Sequence, residues 1–187
     1  REPLNWYGRT KVLGERSIKT FAEESFPAHL FLKSNLYGSH EVEDTVVSKP
    51  TVINYFVDCA LNRETLTVYE PGTQARNFIH VKDVARAYVQ STERLLEQLD
   101  CGETGTKTYE IASHEEMSVM MLAEIVRDTA AEVLGIDADI DLVENPRTGE
   151  TMVEEFSVDI SAARNQLNWE PTKSVQESVR QLLQYGE

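Results

Sequence analysis

Tyr7 and Lys11 stand four residues apart in the run Tyr7-Gly-Arg-Thr-Lys11. On a helix, positions i and i+4 share a face, one turn apart. An ammonium close to a phenol favours the phenolate. A phenolate at neutral pH can take a proton from an alcohol while hydride leaves the carbon that bears it. Taken alone, the pair fits this chemistry and also fits a surface tyrosine beside a solvated lysine. Other chemistries have less to build on. His29, His40, His80 and His114 are scattered, and Cys59 and Cys101 have no metal-like spacing. Without an HExxH run or a paired Cys/His set, a structural zinc site is not expected. The two cysteines read as free thiols in a reducing cytoplasm.

The elements that must position Tyr7 and Lys11 follow from the apolar pattern. The first helix is predicted from about Asn5 to Ser25, and Pro27 ends it. Trp6, Thr10, Leu13, Ser17 and Phe21 form one stripe on it, and Tyr7, Lys11, Gly14, Ile18 and Ala22 the next. Residues 28–35 read as a buried strand and 39–48 as a loop. Pro50 suits the first turn of a helix carrying Val52, Phe56 and Ala60. A strand is expected at 66–69, a turn at Pro71-Gly72 and an extended piece at 77–81. Asp83 is expected to cap a helix carrying Ala85, Tyr88, Val89, Thr92, Leu96 and Leu99. A loop at 101–107 leads to a strand at 108–112. Ser118 caps the next helix, whose apolar face is Val119, Leu122, Ala123, Val126, Ala130 and Val133, and Gly135 stops it. A weak strand is expected within 136–143 and a loop over 144–156. Asp159 is expected to cap a short helix ending near Leu167. Ser174 and Glu177 form a capping box for the last helix. Alternating helical and extended character points to an α/β fold.

The chain has 187 residues, 41% of them hydrophobic, which suits one folded domain. It has no apolar run of spanning length, so a membrane helix is excluded. Arg1 to Thr10 lack the apolar core of a signal peptide, and Arg1 is not an initiator methionine, which hints at truncation. The net charge is −14, from 18 basic and 32 acidic residues. Residues 1–100 carry 12 Lys/Arg against 14 Asp/Glu, and residues 101–187 carry 6 against 18. Such a balance disfavours nucleic acid and anionic membranes as partners. An acidic surface with few lysines also fits a high-salt cytoplasm, a halophilic adaptation.

Further segments give the Tyr7–Lys11 pair a context. Asn35-Leu-Tyr-Gly38 ends the predicted strand, and GTQARNFIHVKDVARA runs from Gly72 to Ala87. TYEIAS at 108–113 precedes the helix that begins at Ser118-Val119. Pro146-Arg147-Thr-Gly149-Glu150 precedes DISAARNQLNWEP, Asp159 to Pro171. In this order and at these spacings the chain resembles the extended short-chain dehydrogenase/reductases, the NAD-dependent nucleotide-sugar epimerase and dehydratase family. The resemblance covers nearly all of the chain.

The resemblance implies an α/β fold: the C-terminal part of a Rossmann-like doubly wound sheet plus a small substrate-binding α/β subdomain. Residues 1–35 and 76–100 would end the Rossmann-like part, and 36–75 and 101–187 would mainly form the substrate-binding part. It implies NAD as cofactor and a nucleotide-diphosphate sugar as substrate. Tyr7 would be the catalytic base and acid, and Lys11 would bind the nicotinamide ribose and tune Tyr7. Asn35 would contact the diphosphate-sugar portion, and Arg76 and Arg147 the nucleotide diphosphate. A guanidinium binds phosphate oxygens bidentately, which a lysine cannot. Simpler readings stay open: a surface ion pair for Arg76, a local salt bridge for Arg147 in its acid-rich loop, a turn for Asn35. Trp169 reads as packing at a helix end, and His80 as structural. A homodimer through the Tyr-bearing helix follows by the same resemblance.

The chain departs from the family in four places. The family often has Arg near Leu32-Lys33 and Pro where Ser39 stands. Its opening strand, GxxGxxG turn and helix, which receive the cofactor pyrophosphate, do not occur here, and Gly8 and Gly14 lie inside the first helix. The family's Ser or Thr before the Tyr helix is also missing. The leading expectation is part of a UDP-sugar 4-epimerase. Alternatives are a nucleotide-sugar 4,6-dehydratase, a non-catalytic nucleotide-sugar-binding or assembly fragment, and a sensor of dinucleotide redox state on the same fold.

Overall fold

A computed structural model describes residues 5–43, 45–48, 50–146 and 156–185. In chain order the elements are α1 (Trp6–Ala22), β1 (Pro27–Lys33), β2 (Asn35–Tyr37), β3 (Ser39–Val42), β4 (Thr45–Ser48), α2 (Val52–Leu61), β5 (Leu66–Tyr69) and β6 (Ala75–His80). There follow α3 (Val81–Asp100), β7 (Gly105–Ile111), β8 (Glu116–Ser118), α4 (Val119–Leu134), β9 (Ile140–Val143), α5 (Ser161–Leu167) and α6 (Val175–Tyr185). β2 pairs with β6 and β5 with β9 in parallel, while β3–β4 and β6–β8 are antiparallel. The fold is mixed α/β, with helices supplying the connections that parallel strands require. Among the described residues no helix is long and apolar enough to cross a membrane.

The chain divides into two compact units. The first comprises Arg1–Leu32, Arg86–Ile111 and Ile160–Trp169. In it β1 pairs with β7. Trp169 is fully buried, as are Ala87, Tyr109, Ile111 and Ala163. The His29 ring meets Tyr109 edge-on at 4.9 Å, and Phe31 lies 4.9 Å from Tyr88. His29 is also bonded through both ring nitrogens, to Ser91 Oγ at 2.8 Å and Gln98 Oε1 at 2.9 Å. Desolvation by burial holds this imidazole below its ordinary value.

The second unit comprises Lys33–Ala85, Ala112–Asp159 and Glu170–Glu187. Its core joins Ile53, Phe56, Leu66, Val68, Phe78, Leu122, Val126, Val175 and Val179 from α2, β5, β6, α4 and α6. Ser118 caps α4, its side chain accepting the Met121 amide, and Gly135 ends that helix in the left-handed conformation. Ser174 Oγ accepts the Glu177 amide at the start of α6. A buried carboxylate ties the C-terminal segment down: Asp83 accepts from Thr172 N at 3.0 Å, Lys173 N at 3.0 Å and Thr172 Oγ1 at 2.8 Å.

Several expectations are corrected. The 39–48 segment is not a loop but the hairpin β3–β4, with Glu43 at φ 46° beside the turn. Its turn carries no glycine, so the usual hairpin signal is missing. Pro50 precedes the N-cap, Thr51, rather than entering the first turn of α2. The extended piece ends at His80, and α3 begins at Val81. There the His80 Nδ1 accepts the Lys82 amide at 3.1 Å, a cap's task expected of Asp83. Asp83 lies in the first turn of α3 and serves residues 172 and 173 instead. The N-cap of α5 is Ile160, one residue after Asp159. The short strand β8 was not expected. The loop read over 144–156 lies largely outside the described residues.

Candidate active site

Asn5 sets the geometry of Tyr7. It is the N-cap of α1, and its side-chain oxygen accepts the Gly8 amide at 2.8 Å. Tyr7 therefore occupies the first helical turn, and Lys11 lies one turn on. The Lys11 Nζ stands 5.2 Å from the centroid of the Tyr7 ring, so the ammonium lies over the ring face. Arg9 stacks in the same way on Trp6, at 5.1 Å. Tyr7 is 71% exposed, and Lys11 is exposed as well. Ala22 is the buried residue of α1. Trp6, Leu13 and Phe21 stand in solvent along its side. The pair thus presents a phenol and an ammonium to anything that approaches this face.

The donor set suits a nicotinamide ribose, because an ammonium donates hydrogen bonds to hydroxyl oxygens and the neighbouring phenol both donates and accepts. Among the described residues there is no group of three or more His, Cys, Asp or Glu side chains that could hold a metal ion. A groove of about 460 Å³ runs beside α1, lined by Val12, Glu15, Arg16, Lys19, Thr108 and Glu110. Tyr7 and Lys11 do not line it. Lys19 Nζ and Glu15 pair within it at 2.6 Å, so it reads as a charged surface furrow.

Asn35 and Arg76 lie in the second unit. Asn35 opens β2 and is paired with Phe78 of β6. Opposed residues of a sheet share a face, and alternation puts Arg76, two positions before Phe78, on that face too. The register therefore brings Asn35 and Arg76 to one side of the β2–β6 pair. Asn35 Nδ2 donates to the Asn77 carbonyl at 3.1 Å, which fixes the plane of its carboxamide. Arg76 is half-buried, and its Nη1 donates to the Ala75 carbonyl at 3.1 Å. Arg147 lies outside the described residues.

Asn77, which drew no attention in the sequence, supports this edge. Its Nδ2 donates to the carbonyls of Ser113 and Glu115, and its Oδ1 accepts the Ser113 amide. Its carboxamide thereby holds the 113–115 turn against β6. The signal that could have found it is an asparagine inside a strand, where such residues are depleted. Glu115 extends the brace, its carboxylate accepting the Val175 amide at 2.8 Å at the start of α6.

Comparison with known proteins agrees with this architecture. The model of the NAD dependent epimerase/dehydratase family matches residues 2–112. The chain is 25% identical over 190 residues to the dTDP-D-glucose 4,6-dehydratase of Bos taurus, covering 99% of this chain and 48% of that protein. It is 32% identical over 194 residues to the UDP-glucuronic acid decarboxylase 3 of Arabidopsis thaliana, covering 95% and 50%. Among solved structures, the UDP-glucose 4-epimerase of Thermotoga maritima, crystallised with UDP-glucose, superposes with a TM-score of 0.77 at 22% identity, covering 99% of this chain and 54% of that one. The fold is thus that of the Rossmann-like epimerases, and the chain spans about half the length of the curated relatives it matches. With more than half of its residues inside the family match, the chain belongs to the NAD dependent epimerase/dehydratase family.

Proposed function

We propose that this chain is the catalytic-tyrosine and substrate-binding part of an NAD-dependent nucleotide-sugar epimerase acting at a sugar carbon, in the manner of a UDP-sugar 4-epimerase. The observation that carries the reading is the Tyr7–Lys11 pair, one turn apart and accessible at the start of α1, inside the stretch matched by the family. The first unit is assigned to the end of the cofactor-binding part and the second to the substrate. NAD supplies the hydride acceptor and donor. Tyr7 takes the proton from the sugar hydroxyl as that carbon is oxidised, and returns it when the carbon is reduced from the other face. Lys11 hydrogen-bonds the nicotinamide ribose and keeps positive charge beside the phenol. Asn35 and Arg76 hold the diphosphate end of the substrate, and Arg147 is assigned there with them. Fixing that end while the sugar turns is what lets one base serve both faces.

The dTDP-D-glucose 4,6-dehydratase among the relatives favours a second reading, in which the same oxidation is followed by loss of water. Because the chain spans only half of its relatives, a nucleotide-sugar-binding or assembly role without turnover is the third. The α1 stripe of Trp6, Leu13 and Phe21 suits a two-fold partner, and we assign a homodimer to it, in the cytoplasm. The deciding experiment places this chain, joined to a cofactor-binding half, with NAD and either UDP-glucose or dTDP-glucose, and follows the sugar by NMR. A C4 epimer supports the epimerase. A 4-keto-6-deoxy product establishes the dehydratase. Binding of UDP-glucose without conversion leaves the binding module.

A further inference from the structure

We infer that the flank of α3 carrying Val89, Thr92, Leu96 and Leu99 seats a helix of the cofactor-binding half, an inference that rests on reading this chain as one part of a longer enzyme. The steps along that flank are three, four and three residues, the spacing of a helix–helix seam. Val89 and Leu96 are 58% exposed and Leu99 53%, so a seam of this kind stands open along α3. Single exposed apolar side chains are ordinary, but a row of them on one helix is not.

The direction of the stripe says what covers it. α3 rests on β1 with a different face: Val84, Ala87, Ser91 and Gln98 are buried, and Ser91 and Gln98 bond His29 of β1. At 3.6 residues per turn the stripe stands roughly a third of a turn from that face, so it points sideways within the helix layer. Tyr88 lies between the two faces, its ring 4.9 Å from Phe31 of β1. On the other flank Gln90 Nε2 donates to the Asn168 carbonyl at the end of α5, and α5 packs against β7. The stripe therefore looks away from β7, over the opposite edge of β1. Among the described residues β1 pairs with β7 and with no other strand. Yet Ala28-His-Leu-Phe-Leu32 is nearly all apolar, the pattern of an interior strand covered on both faces. An open helix seam and an open strand edge thus lie on one side of the first unit, and a helix with its strand fits both. The chain spans about half the length of its curated relatives, so the remaining half can supply them. Glu93 and Asp100 border the stripe, which calls for Lys or Arg along the facing helix. A second copy of α3 would bring the same acidic border to the seam and fits less well.

The test compares the 187-residue chain alone with the same chain joined to a cofactor-binding half. Leu96→Glu should shift the melting temperature of the chain alone by less than about 1 °C, because the side chain is already in water. In the joined protein it should lower that temperature by about 5 °C or more, since a carboxylate enters an apolar seam. Leu96→Met should stay within about 2 °C of the wild type in both. Hydrogen exchange gives a second reading that needs no variant: joining should slow exchange in α3 and β1 together. Equal effects of Leu96→Glu in the two settings, no effect in either, or α3 amides no slower after joining would overturn the inference. A dimer of the chain alone that Leu96→Glu splits would assign the stripe to a second copy and overturn it too. Protection of β1 with Leu96 indifferent fails this inference only. If joining slows exchange nowhere in the first unit, the reading of the chain as part of a longer enzyme fails with it.

Discussion

Replacing Asp83 with alanine should unfasten the C-terminal segment of the second unit. The Asp83 side chain is 1% exposed and accepts from Thr172 N, Lys173 N and Thr172 Oγ1. Alanine leaves two backbone amides and a hydroxyl without this acceptor, in a place water scarcely reaches. Each orphaned buried group costs about 1–3 kcal/mol, and because the three share one partner the losses overlap, giving about 4 kcal/mol in all. That is a large part of a total stability of roughly 5–15 kcal/mol. At about 2–4 °C per kcal/mol for a chain of this size, the melting temperature should drop by roughly 8–16 °C. Asp83→Asn retains one acceptor oxygen and turns an NH2 group toward a donor, so about half the loss is expected. Thr172→Val removes only the hydroxyl donor and should cost about 1 kcal/mol. Urea unfolding followed by circular dichroism gives all three. An Asp83→Ala loss under about 1 kcal/mol, or a Thr172→Val loss as large as that of Asp83→Ala, would refute the idea that this carboxylate is the fastening.

Gly38 sits at φ 83°, and a Cβ there would fall 2.4 Å from His80 Nε2, so Gly38→Ala should destabilise the second unit by about 2 kcal/mol or more, read by the same unfolding assay. His29 is held below its ordinary value of 6.5, mainly by burial, so the unfolded chain binds the proton more readily. Stability should therefore fall as pH drops from 6.5 through the lower folded value, and His29→Gln should remove that part of the slope; a parallel pH profile in both proteins would contradict it. With a net charge of −14 concentrated after residue 100, the chain should melt at a higher temperature in molar KCl than in dilute buffer. Equal melting temperatures would remove the halophilic reading.

The parts that could be read from the sequence are those that local chemistry determines. Asn5, Ser118, Gly135 and Ser174 mark helix ends because capping is settled within four residues of chain. The spacing of Tyr7 and Lys11 was enough to put them on one face of α1. It was not enough to place the ammonium over the ring, which is a matter of rotamers. The hairpin at 39–48 escaped notice because its turn has acidic residues where glycine or asparagine would announce it. Asp83 was read as a cap because an acid at a helix start usually is one. Its true partners lie about ninety residues away in the chain, and no local pattern reveals them. The shared face of Asn35 and Arg76 depends on the β2–β6 register in the same way. Family resemblance suggested those two residues, and only the pairing of distant strands puts them on one face.

The central claim is that Tyr7 moves the proton. Tyr7→Phe, in this chain joined to a cofactor-binding half, keeps the ring beneath Lys11 and removes the hydroxyl alone. Its kcat for nucleotide-sugar conversion should fall by about 10²–10⁴, the usual contribution of a positioned acid–base group, while KM changes little. Conversion near the wild-type rate would contradict the role given to Tyr7 and, with it, the catalytic reading of this chain.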